Sequence, residues 1–190
     1  MKQSVNLTDL WANAIDGDQH AYALLHKSLY PLLCNYLLQI LKDEDVADDL
    51  LQELFVKLWN KRKHIGAVGN VKAYFFTAAR SMAINHFRRI KSQTSRLENF
   101  APPEFGFSAE DILISAENET YLKSKMAAAL NLLPPRQREI IYLKYYQEIE
   151  YQKIAEITGI RYQSVINHVF RAIETLRAEF SRTKPEGIFA

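Results

Sequence analysis

The chain has 190 residues, 48% of them hydrophobic, with a formal charge of +2 and a single cysteine. That length suits one ordinary domain or two small ones, and the apolar share is enough to fold. One cysteine excludes an internal disulfide framework, and no stretch approaches the roughly 18 consecutive apolar residues of a membrane span; with no charged-then-apolar leader pattern at the start, a cytoplasmic protein without direct membrane insertion is expected.

In chain order, a first helical block is expected over residues 7–92. Leu24, Leu25, Leu29, Leu32, Leu33 and Tyr36 keep to one helical face, and Cys34 lies within this apolar run as a small hydrophobe. An acidic run follows, Asp43, Glu44, Asp45, Asp48, Asp49 and Glu53, with no base among them. It suits a basic protein surface better than DNA. Leu50, Leu51, Leu54, Phe55 and Leu58 give the next helix its inner face, and Lys61 to Val71, with Gly66, Gly69 and Asn70, is expected to be a loop. A third helix runs from about Val71, its stripe being Phe76, Ala79, Ala83, Phe87 and Ile90, its other face Thr77, Arg80, Ser81, Asn85 and Arg88.

Leu54 to Leu97 holds no acidic residue but ten Lys and Arg, from Lys57 to Arg96, so a polyanion partner is inferred. Aromatics are interleaved with these cations: Trp59, Tyr74, Phe75, Phe76 and Phe87. Cations that track phosphates beside rings that stack on bases are how single-stranded nucleic acid is commonly held. Phe76 and Phe87 belong to the core stripe, whereas Tyr74 and Phe75 are expected to be more open. A glycine-bearing loop leading into such a helix can cradle an unstacked base.

Residues 93–116 are expected to be a linker. Ala101-Pro102-Pro103-Glu104-Phe105-Gly106-Phe107-Ser108 interrupts any helix, and no Lys or Arg occurs between Leu97 and Leu122. An acidic, extended connector of this kind can ride in a positively charged channel or serve as a solvated tether.

A second helical block is expected over 117–181. Pro134 and Pro135 mark a helix start, after which Ile140, Ile141 and Leu143 face inward. Glu150 to His168 then has helix-turn-helix spacing: Ile154, Ala155 and Ile157 make one inner face, Gly159 closes that helix, and Val165, Val169, Ala172 and Leu176 make the next stripe. The final helix continues through Phe180 and is expected to fray near Pro185. The bland alternative is a helical hairpin with no DNA role.

Strand patterning is weak throughout, so the fold class is all-α: two small helical domains joined by a flexible linker. Five scattered histidines and one cysteine give no metal-ligand spacing, and neither a phosphate loop nor a nucleophile elbow occurs. No catalysis, cofactor, metal or small-molecule substrate is expected.

Several ordered motifs together resemble the extracytoplasmic-function (ECF) group of the sigma-70 family, the small sigma factors of bacterial RNA polymerase. Asp16-Gly17-Asp18-Gln19-His20-Ala21-Tyr22-Ala23-Leu24-Leu25 resembles the family's first helix start. Asp48 to Trp59 is similar to its polymerase-binding helix, and Leu133-Pro134-Pro135-Arg136-Gln137-Arg138-Glu139-Ile140 with the helix-turn-helix resembles its second domain. The resemblance implies sigma region 2-like and region 4-like domains. It also implies that Asp49, Gln52 and Glu53 engage the basic clamp helices of core RNA polymerase. The loop residues Lys63, His64 and Asn70 and the helix residues Tyr74, Thr77, Arg80, Ser81, Asn85, Arg88 and Arg89 would capture the melted minus-ten strand of promoter DNA. Arg161, Tyr162, Gln163, Ser164, Asn167, His168 and Arg171 would read or clamp the minus-thirty-five duplex. The linker would thread toward the RNA exit channel, and an anti-sigma factor is implied as a partner. Glu150 and Arg161 stand where the family often has a capping Ser, and Ser81 where it commonly has Asn. The alternative reading is a helix-turn-helix regulator acting without polymerase binding.

Overall fold

The computed structural model describes residues 6–93, 105–107 and 119–182. All regular elements among them are helical, and the chain divides into two compact units, Met1–Pro103 and Glu104–Ala190.

In the first unit, α1 (Leu7–Ile15), α2 (Gln19–Leu41), α3 (Glu44–Ile65) and α4 (Val71–Gln93) form a bundle in which α2 touches all three others. Short polar residues start three of these helices. The side chains of Asn6, Asp18 and Asp43 accept backbone N–H groups of the first turns of α1, α2 and α3, which would otherwise lack partners. Glu44 and Asp45 then sit at the positive end of α3 and Arg62, Lys63 and His64 at its negative end, so the acidic-to-basic gradient of the sequence follows the helix dipole. Lys42 closes α2 in the left-handed conformation (φ 58°).

The core of this unit is built from Trp11, Leu25, Leu29, Leu33, Tyr36, Leu37, Leu51, Phe75 and Phe76, each essentially without exposure. Burying one such side chain stabilises by about 1.5–3 kcal/mol. The predicted stripes hold in their middle and fail at their ends. Leu24 is exposed on α2, and on α4 the buried stripe ends at Ala83, with Phe87 half-buried and Ile90 exposed. Cys34 is half-buried, and burial together with the nearby Glu44 carboxylate pushes the pKa of its thiol up.

The second unit contains α5 (Glu119–Asn131), α6 (Pro135–Ile141), a π-helical turn (Tyr142–Tyr146), α7 (Tyr151–Thr158) and α8 (Tyr162–Arg182). Pro135 occupies the first position of α6, where its missing N–H costs nothing. Ile140, Ile141 and Leu143 are buried as expected, and α8 packs on α5, α6 and α7 through Val165, Val169 and Ala172. The π turn was not legible in the sequence. It adds one residue to the helix, bonding Gln147 N–H to the Tyr142 carbonyl at 3.1 Å, and lets the rings of Tyr142 and Tyr146 stack 5.7 Å apart. The expected fraying near Pro185 lies outside the described residues.

Candidate nucleic-acid interface

The acidic side of α3 is exposed but internally braced. Gln52 donates from Nε2 to Asp48 at 2.7 Å, and Glu53 pairs with Lys57 at 2.5 Å, each one turn away. Exposed pairs at this spacing are worth only about 0.3–0.5 kcal/mol, so an external cation can displace them. Asp49, Gln52 and Glu53 are all exposed on this helix, beside Val56, which is 60% exposed. Next to them a mostly apolar depression of about 450 Å³ is lined by Gln19, Tyr22, His26, Gln52, Phe55, Val56 and Trp59. Its floor is fixed by the Tyr22 hydroxyl, which donates to the Phe55 carbonyl at 2.6 Å, and burial raises that phenol's pKa. Burial likewise lowers the pKa of His26, whose ring packs 4.4 Å from that of Phe55.

The loop predicted over Lys61 to Val71 is shorter than expected. Helix α3 continues to Ile65, because its basic last turn favours the negative helix end and only Gly66 provides a stop, so Lys63 and His64 are exposed helical residues and the loop is 66–70. Asn70 uses its side-chain oxygen to accept the Ala73 N–H at 2.9 Å, which starts α4. Its backbone carbonyl accepts the Tyr74 N–H at 3.0 Å.

Along α4, Ser81, Asn85, Arg88 and Arg89 are exposed, and Tyr74 and Thr77 are half-buried, the Thr77 hydroxyl donating to the Ala73 carbonyl at 2.9 Å. Two expectations need correction. Phe75 has no exposure, because it packs between Trp11 and Phe55, and so offers no ring to a base. Arg80 is 7% exposed and lies on the buried side of α4, apart from Ser81 and Asn85. Asn85 and Arg89 also line a cavity of about 190 Å³ between α3 and α4, together with Glu53 and Lys57, so the acidic and basic faces of this unit adjoin.

In the second unit, α7, the turn 159–161 and α8 form the expected helix-turn-helix. Gly159 takes the left-handed conformation (φ 68°, ψ 29°) and its N–H bonds the Ala155 carbonyl at 2.9 Å. Arg136 ties this turn to α6. Its Nη1 lies 3.4 Å from the Thr158 carbonyl and 3.4 Å from the Glu139 carboxylate, which is buried. Glu150 precedes α7 without a side-chain cap. Arg161, Tyr162, Gln163, Asn167 and Arg171 are exposed, while Ser164 and His168 are half-buried. Gln163 donates to Asn167 across one turn at 3.3 Å. Burial, with Arg136 and Arg171 nearby, lowers the pKa of His168 and favours the neutral ring. Sequence reasoning missed Phe170, which is 61% exposed and three residues beyond Asn167 on the same face. An apolar residue off the core stripe of the second helix of the helix-turn-helix was the available signal.

Part of the expected linker belongs to the second unit. Phe105 and Phe107 are buried in the second unit, against Tyr142 and Tyr146, with ring centroids 5.1 to 6.0 Å apart. The rest of the expected linker lies outside the described residues.

Two family models match the chain: "Sigma-70 region 2" over residues 25–93, in the first unit, and "Sigma-70, region 4" over 123–176, in the second. The ECF RNA polymerase sigma factor SigM of Bacillus subtilis is 27% identical over 149 residues, 77% of this chain and 87% of that protein. SigL of Mycobacterium tuberculosis, also named an ECF RNA polymerase sigma factor, is 27% identical over 176 residues, 86% of this chain and 93% of its own length. The chain belongs to the sigma-70 family, ECF group. Among solved structures, CnrH in complex with the cytosolic domain of CnrY shares the fold with a TM-score of 0.62 at 19% identity, covering 94% of this chain and 99% of CnrH. Sigma factor RpoE from Bartonella quintana, in complex with the anti-sigma factor NepR, gives 0.59 at 24% identity, covering 86% and 98%. As a sigma factor the chain is a transcription initiation factor, with region 2 in the α1–α4 bundle and region 4 in the helix-turn-helix unit.

Proposed function

We propose that this ECF sigma factor binds core RNA polymerase through the exposed acidic side of α3, captures the melted minus-ten strand with the end of α3, the 66–70 loop and α4, and reads the minus-thirty-five duplex with α8. The observation that carries the reading is the division of one surface helix. The first half of α3 exposes Asp49, Gln52 and Glu53, and its last turn exposes Lys63 and His64 immediately before the loop into α4. A basic protein partner and a polyanion can therefore be bound side by side.

Asn70, Tyr74, Thr77, Ser81, Asn85, Arg88 and Arg89 would complete the minus-ten face, with Arg80 left out by its burial. The short Thr77 and Ser81 give this face little reach, so its base preference rests on Asn85 and the loop. In region 4, Arg161, Tyr162, Gln163, Asn167, Phe170 and Arg171 would meet the duplex, Arg161 and Arg171 supplying phosphate or guanine contacts and Phe170 an apolar contact with a thymine methyl. His168 and Ser164 would support them from the half-buried side. No bond is made or broken by the chain; its binding energy opens and holds the promoter. An anti-sigma partner belongs to the same proposal, since RpoE, which shares the fold, is held by one. A cytoplasmic site of action fits, no described helix being long and apolar enough to cross a membrane.

Run-off transcription with purified core polymerase and a randomised promoter library tests this reading. Promoter-specific initiation on addition of the chain is expected. Tight duplex binding that neither needs polymerase nor stimulates initiation would instead identify a stand-alone regulator.

A further inference from the structure

The region 2 family model begins at residue 25, so α1 lies outside it. Yet α1 supplies Trp11, 1% exposed, whose contacts lead directly to the proposed minus-ten loop. Its ring meets Phe75 edge-on, with centroids 5.7 Å apart and an interplanar angle of 88°. Its Nε1–H donates to the carbonyl of Gly66 at 2.9 Å, a hydrogen bond between residues 55 positions apart.

Gly66 is held in an unusual conformation, φ 67° and ψ −158°, that essentially only glycine adopts. No heavy atom lies within 4 Å of where its Cβ would stand, so backbone geometry and not space reserves the position. In this conformation its N–H closes α3 on the Arg62 carbonyl at 3.0 Å, while its own carbonyl reaches Trp11. Arg62 is fixed in turn, stacked 3.8 Å over the Trp59 ring and donating to the Trp59 carbonyl at 2.8 Å. At the far end of the loop, Asn70 caps α4. Only Ala67, Val68 and Gly69 lie between these two anchors, with Ala67 and Gly69 exposed.

We propose that Trp11 is a positioning residue for minus-ten recognition: by holding the Gly66 carbonyl it sets the path of residues 67–69, and with it the place where an unstacked base is received. This rests on the assignment of the 66–70 loop to the minus-ten face. Trp11 is enclosed and touches no nucleic acid; it acts through Gly66. A loop fixed at both ends pays little ordering entropy when a base enters, and it rejects bases that need another path. Without the indole donor the Gly66 carbonyl loses its partner, the first anchor loosens, and the loop accepts more bases.

Trp11→Phe keeps an aromatic ring against Phe75 and removes only the donor. The full chain, bound to core polymerase, would be presented with fork-junction DNA whose single-stranded minus-ten positions are randomised, and the bound fraction sequenced. Wild type is expected to favour particular bases. In Trp11→Phe that preference falls about three- to tenfold at the one or two positions received by the loop, the range that loss of one hydrogen bond gives. Selection at the minus-thirty-five positions and core binding stay unchanged. Leu29→Val, which removes a buried methylene from α2 and leaves the Trp11 donor to Gly66 in place, lowers stability but leaves base preference intact. Wild-type preference in Trp11→Phe would overturn the proposal, and so would an equal flattening at all positions in both variants. Absence of any minus-ten preference in wild type would remove the minus-ten assignment itself, and the proposal with it.

Discussion

The side-chain amide of Asn131 pairs with both backbone groups of Phe107 as a neighbouring β-strand would. Its Nδ2 donates to the Phe107 carbonyl at 2.8 Å, and its Oδ1 accepts the Phe107 N–H at 2.9 Å. Phe105 and Phe107 then enter the tyrosines of the π turn, so part of the connecting segment is a structural piece of region 4.

Asn131→Ala is expected to destabilise region 4 by about 2 kcal/mol, since two part-buried backbone groups lose their partners. Urea denaturation followed by tyrosine fluorescence and circular dichroism would show an earlier region 4 transition and an unchanged region 2 transition. A single unshifted transition would mean that the segment contributes nothing to the unit.

Glu148 adopts φ 54° between the π turn and α7, a left-handed conformation that costs a side-chain-bearing residue roughly 1–2 kcal/mol. Glu148→Gly relieves that strain but makes the unfolded chain more flexible, so a net gain of about 0.5–1 kcal/mol is expected. A higher melting temperature for the variant is the check.

A histidine is expected to give region 4 a pH response. The folded pKa of His168 lies below its ordinary 6.5, first because burial disfavours the imidazolium and then because Arg136 and Arg171 repel it. The unfolded chain therefore takes up the proton first. Its contribution to stability is intact above about pH 6.5 and declines as the pH falls below that value. His168→Gln should flatten the dependence of region 4 stability between pH 7 and 5; an unchanged slope would assign the response elsewhere.

Legibility in the sequence followed locality. The helix-turn-helix, the proline start of α6 and the Gly159 stop depend on neighbours within a few residues, and each was readable. Others were not. Phe75 follows half-buried Tyr74 and Arg80 precedes exposed Ser81, and only the packing of α4 against its neighbours in the bundle decides which side is covered. Asn131 pairs with Phe107 across 24 positions, beyond any periodicity. The loop before α4 was overestimated because Gly66, Gly69 and Asn70 mark a break without fixing where it begins, whereas Lys61 to Ile65 complete a helix end.

The most direct measurement is a reciprocal binding test on two variants, titrating core polymerase and a minus-thirty-five duplex separately. Arg171→Ala is expected to weaken duplex binding roughly tenfold and to reduce its salt dependence by about one counterion, while core binding is unchanged. The double variant Asp49→Ala with Gln52→Ala is expected to weaken core binding and to spare the duplex. Equal loss of both activities in either variant would contradict the assignment of polymerase and duplex DNA to separate faces on the two units.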